Sequence, residues 1–145
     1  MRLRAGFRFG VGLKNRLDSL LRKMTQLRQK VMKTWAEKFI DECRKLVETG
    51  SPDWAPLSAR YLDWKLRVGY SPKIWVRTGK TISSLKTFRI GNRLIVGFPM
   101  PYSERALYME KGTSRMPARP LLQKVADKFR REGILVSSVK RFLMR

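Results

Sequence analysis

The sequence predicts an α+β fold, a long N-terminal helix and shorter helices packed beside a small antiparallel β-sheet. Three observations predict it. Apolar residues recur at spacings of three and four from Leu13 to about Glu48, the period of one helix face. Two β-prone runs, Lys86–Ile90 and Arg93–Phe98, flank the pair Gly91-Asn92, the pattern of a tight hairpin. Two further helical runs lie on either side of a connector carrying Pro117 and Pro120. Helices grouped beside a hairpin, rather than alternating with strands, give α+β. At 145 residues the chain reads as one domain, 13–145, with a flexible basic arm at 1–12 and a basic C-terminal tail from about 133.

The arm carries Arg2, Arg4 and Arg8 with Phe7 and Phe9 between them, suited to touching nucleic acid or a neighbouring subunit. In the first helix Leu13, Leu17, Leu20, Met24, Leu27, Val31, Trp35, Phe39 and Cys43 form one stripe. A helix of that length extends ~50 Å, more than a compact domain of this size needs. Either part of the stripe meets another chain, or the helix bends or breaks near its middle. Gly50 and Pro52 end it. Leu57–Val68 reads as a second helix with Leu57, Tyr61, Trp64 and Val68 on one face. Ile74–Arg77 is short and β-prone, and Thr78-Gly79-Lys80 opens a turn and short helix.

Pro99 and Pro101 end the second strand, and a helix follows from Tyr102 to Glu110. Gly112 stops it, and each proline beyond pushes its predecessor, Met116 or Arg119, out of the α region. The connector is therefore stiff, and Pro120 opens a helix to Arg131. Ile134–Arg145, with Lys140, Arg141 and Arg145, is a final strand or a docking tail.

Charge is the strongest whole-chain signal. Lys and Arg number 33 against 11 Asp and Glu, a net +22 that, without histidine, barely varies near neutral pH. Such an excess favours nucleic acid or an acidic protein neighbour over a merely solvated surface. Chemistry is harder to find. Gly79-Lys80-Thr81 lacks the first glycine of a phosphate-binding loop, since Ile74 stands there. With one cysteine and no histidine, an intramolecular disulfide and His/Cys zinc sites are excluded. Cys43 lies on the apolar stripe as a small core residue, and Asp63 and Glu110 show no partner. No catalytic residue, cofactor site or metal site is expected, and no membrane span. Trp54 and Trp75, near loop boundaries, are candidate interface anchors.

YMEKGTSRMPARPLL, with Tyr108, Glu110, Gly112, Thr113, Met116, Pro117, Ala118, Arg119 and Pro120, resembles the signature Y-x-E-x-GT-x-x-MPARPFL of the phage virion-morphogenesis family. That family supplies tail-completion and neck proteins of Mu-like and lambda-like bacteriophages. Trp54-x-Pro56-Leu57-Ser58 with Tyr61 and Lys65 resembles its W-x-PLS-x-x-Y-x-x-x-K. Ile74-Trp75 and Thr78-Gly79-Lys80 with Ser84-Leu85 resemble its L-x-x-TGxL-x-x-S, with Thr81 replacing the usual apolar residue.

The resemblance spans roughly residues 54–125. It implies a structural virion protein of the head–tail junction, assembled as a ring, typically a hexamer. The ring would lie between head connector or stopper and tail tube or terminator, and the protein would reside in the host cytoplasm before assembly. The motif residues would form the subunit interface, and the excess charge would face channel DNA or acidic rings. A nucleoid- or ribosome-associated nucleic-acid binder is the alternative. Within the ring reading, Gly112→Val is expected to disrupt assembly more than stability.

Overall fold

The computed structural model describes residues 11–133. The expected arm and tail, with Arg2, Arg4, Arg8, Lys140, Arg141 and Arg145, lie outside them. Helix α1 spans Val11–Thr49 without a break, 39 residues and ~58 Å long. It therefore takes in Val11 and Gly12, which the sequence assigned to the arm. Gly50 closes it at φ 75°, donating its N–H to the Leu46 carbonyl at 2.9 Å. Five elements follow in order of chain after α2 (Ala59–Arg67). They are α3 (Lys80–Ser83), β1 (Lys86–Ile90), β2 (Arg93–Gly97), α4 (Tyr102–Lys111) and α5 (Leu122–Arg131). The architecture is the α+β arrangement the sequence predicts.

Only the C-terminal half of α1 is core. Phe39, Cys43 and Val47 pack with Trp54, Trp75, Leu85, Ala106, Leu121, Val125 and Phe129 in one cluster. α5 lies across this half, where the Phe129 ring meets Phe39 at 5.3 Å and Trp35 edge-on at 5.8 Å. The Lys128 ammonium donates to Glu42 at 2.6 Å, and Lys124 pairs with Asp53. The hydrogen bond from Lys128 holds the Glu42 carboxyl below its ordinary pKa. Cys43 is fully buried, and burial pushes its thiol up to about 12.

The hairpin runs in register from Lys86 opposite Gly97 to Ile90 opposite Arg93, turning at Gly91 with φ 57°. Two strands alone are marginal. Val96 and Phe98 pack against the core cluster and anchor them. The opposite face carries Phe88 and Ile95, paired directly across the strands.

Two local expectations are corrected. Ile74–Arg77 is not a strand. Trp75 sits at φ 69°, a left-handed conformation that breaks any extended run. The segment instead curls round the Lys65 ammonium, which donates to the carbonyls of Lys73 at 2.9 Å and Val76 at 2.6 Å. The face of α2 is also reversed. Ser58 caps this helix, so Leu57 lies before it. Tyr61, Trp64 and Val68 stay 40–49% exposed, whereas Lys65 is buried. Satisfying its amine with backbone carbonyls brings the lysine stem inside, and the aromatic stripe turns outward.

Candidate functional site

The motif residues meet in an elbow between α4 and α5. Glycine at 112 takes φ 75° and ψ 178°, and its N–H donates to the Tyr108 carbonyl at 2.9 Å. A tight turn follows, in which Thr113 and Met116 exchange backbone hydrogen bonds of 2.8 and 3.2 Å. The chain then doubles back, and the Arg119 N–H donates to the Met109 carbonyl at 2.7 Å. A Cβ at Gly112 would lie 2.7 Å from the Ala118 nitrogen and 2.8 Å from the Met116 oxygen. The return strand thus passes where any other residue would place a side chain. That corrects the expectation for Gly112→Val. The obstruction lies within one chain, so stability suffers first.

Side chains distant in sequence clamp the returning segment. Trp75 donates its indole N–H to the Arg119 carbonyl at 3.0 Å, and Trp54 donates to the Pro120 carbonyl at 3.0 Å. The Arg119 guanidinium, 4% exposed, donates from Nε to the Ala55 carbonyl at 2.7 Å and from Nη2 to Pro56 at 2.9 Å. Burial lowers the pKa of Arg119 and, equally by desolvation, that of Lys65. Glu110 has partners after all. Its Oε1 accepts from the backbone N–H groups of Leu121 at 2.9 Å and Leu122 at 2.5 Å. A carboxylate from the preceding helix therefore caps the first turn of α5, where the orphan donors and the helix dipole favour negative charge. Asp63 pairs with Arg67 one turn along α2, at 2.6 Å.

The cap is testable. Glu110→Ala should cost about 1–2 kcal/mol by leaving two α5 donors unmet, and Glu110→Gln only part of that. Urea unfolding of the two variants measures the difference. Equal, near-zero losses would show that the carboxylate does not hold the helix.

Beside the elbow lies a groove of about 670 Å³. Leu57, Val76, Met109, Met116 and Pro117 give it an apolar lining, Lys65 and Arg119 lie in its wall, and Arg77, Arg105 and Arg115 stand at its edge. Thr78 and Tyr108 also line it. The Tyr108 hydroxyl donates to Glu104 at 2.7 Å, which raises the phenol pKa. Gly79, at φ 78°, opens α3 next to it, and Lys80 is exposed on that helix. Thr113, Pro117 and Ala118 are exposed along the elbow.

The structure thus gathers the motif residues in one place, with Trp54, Trp75 and Arg119 buried inside their own chain and Thr78, Tyr108 and Met116 facing the groove. Sequence reasoning missed two things. Lys65 appears in a resembling motif, but nothing local marks it as a buried cation. Arg77, Arg105 and Arg115 are indistinguishable in sequence from the other basic residues. No family model, curated protein or solved structure matches the chain.

Proposed function

We propose that the chain is a structural protein of the phage head–tail junction, of the tail-completion or neck type. Copies join side by side in a ring, a hexamer by the resemblance, between head connector or stopper and tail tube or terminator. Its work is mechanical, spacing and joining rather than catalysis.

The observation that carries the reading is the apolar stripe on α1 that no other described residue covers. Leu13, Leu17, Leu20, Leu21 and Met24 are 46–67% exposed on a helix that runs past its own core, which begins at Val31. An aligned apolar stripe of this length is costly to leave in water and suits a neighbouring copy. The braced elbow supports it by fixing the angle between α4 and α5, as a repeated docking geometry requires.

Size-exclusion chromatography with light scattering tests the ring. The expected species is a closed multiple of the 17.0 kDa chain. It should strengthen with added salt, because each copy carries +22 and screening relieves their repulsion. Leu17→Glu combined with Leu21→Glu should return it to monomer, losing at most the helical signal of the overhanging turns and leaving the unfolding transition of the Val31–Val47 half in place. A wild-type chain that stays monomeric at every salt concentration would refute the ring.

The charge itself favours the second reading, a nucleic-acid binder, since Lys14, Arg16, Arg22 and Lys23 are exposed on the same end of α1. Salt separates the two. DNA affinity should fall tenfold or more over a modest salt increase if several phosphates are held, roughly the reverse of the trend for assembly.

A further inference from the structure

We propose that the groove beside the elbow docks an extended acidic segment of a protein partner, with apolar side chains on the groove floor and carboxylates on the arginine edge. The inference stands whether or not the chain closes into a ring.

Charge complementarity selects the occupant. Lys65 and Arg119, inside the wall, are held only by backbone carbonyls. Neither has a carboxylate within ion-pair distance among the described residues. Arg77, Arg105 and Arg115 likewise enter no ion pair there, and all three are exposed. Lys73, which also lines the groove, is already matched by Glu48, and Glu104 outside it is tied to the Tyr108 hydroxyl. The groove therefore concentrates positive charge against a low-dielectric lining and holds no anion of its own, an arrangement that strengthens attraction for a carboxylate.

Charge and shape disfavour the other occupants of the groove. The chain's own N-terminal arm is basic, and a second copy brings another +22. Duplex DNA presents phosphates on a broad outer surface; these would reach the arginine edge but leave Leu57, Val76, Met109 and Met116 unfilled. An extended peptide alternates its side chains, so one set of side chains can enter the apolar floor while the intervening carboxylates meet the edge.

Fluorescence anisotropy with the full chain tests this. The probe is a labelled short peptide in which Glu alternates with Leu, and the controls are a polyglutamate of equal charge and a duplex oligonucleotide. The Glu–Leu peptide should bind several-fold tighter than polyglutamate. Its affinity should drop about tenfold or more when Arg77→Glu, Arg105→Glu and Arg115→Glu are combined, and should weaken with salt. These arginines make no internal ion pair, so the fold should persist. The neutral set Arg77→Gln, Arg105→Gln and Arg115→Gln, expected to lose part of that affinity, keeps the test decisive if charge reversal disturbs the fold. Three results overturn the proposal. One is equal binding of both peptides, another is full affinity in the folded variants. The third is displacement of the peptide by the oligonucleotide with loss of DNA binding in the same variants, which would make the groove a nucleic-acid contact.

Discussion

Gly112→Val is expected to lower the melting temperature by about 10 °C or more. The glycine sits at φ 75° and ψ 178°, a region open essentially only to glycine. Forcing a β-branched residue there costs about 1–3 kcal/mol in backbone strain alone. The added Cβ would also meet main-chain atoms of Ala118 and Met116 at 2.7 and 2.8 Å, and backbone cannot swing aside as a side-chain tip can. A total near 3–5 kcal/mol is a large part of the stability of a domain this size. At about 2–4 °C per kcal/mol, the shift follows. Gly50→Ala is the control. Its φ is also 75°, but nothing lies within 4 Å, so only the strain, about 1 kcal/mol, should be felt. Thermal melts at one fixed protein concentration read both. Equal shifts for the two variants would mean that the elbow does not close over Gly112.

Trp75→Ala should be comparably damaging, at about 3–5 kcal/mol. The indole is 6% exposed, stacks on Phe98 at 5.9 Å and holds the returning segment through the Arg119 carbonyl. Its backbone gives the prediction a finer signature. Because φ is 69°, the alanine variant keeps the left-handed strain that a glycine would relieve. Trp75→Gly should therefore be more stable than Trp75→Ala by about 1 kcal/mol, the reverse of the order expected in ordinary strand or helix. Trp75→Phe retains most of the stacking and loses the indole donor, for about 1 kcal/mol. Urea midpoints across the three variants decide the matter, and an alanine variant above the glycine one would show that the backbone is not held left-handed.

The parts of this fold that local chemistry governs were legible in the sequence. The spacing of apolar residues marked α1, Gly91-Asn92 marked the hairpin, and Gly112 marked the end of α4. What distant contacts impose was not. The β-prone residues Ile74–Arg77 bend because Lys65 draws in two carbonyls and Trp75 is pinned to Arg119, neither of which leaves a trace in spacing. α5 starts at Leu122 under a cap that comes from Glu110 in the preceding helix. On α2 the spacing of apolar residues put Tyr61 and Trp64 on one face but did not say that this face looks outward while a satisfied Lys65 is buried. The candidate site was legible as a set of residues but not as a machine. Trp54, Trp75, Glu110 and Arg119 were marked together as a subunit interface, whereas within one chain they brace the elbow against the Trp54–Pro56 segment.

The overhang of α1 has a thermodynamic consequence. About fourteen residues of helix, ~21 Å of backbone ladder, precede the stretch that lines a cleft with the hairpin from Thr25 and reaches it through Arg28 and the Asn92 carbonyl, and none of the other described residues packs on them. Helical turns in water are only marginally favourable by themselves. This end therefore unravels and rewinds at a small fraction of the free energy needed to open the Val31–Val47 half. A partner seating on the leucines would have to supply the ordering cost of those turns, and its affinity would be drawn down by that amount.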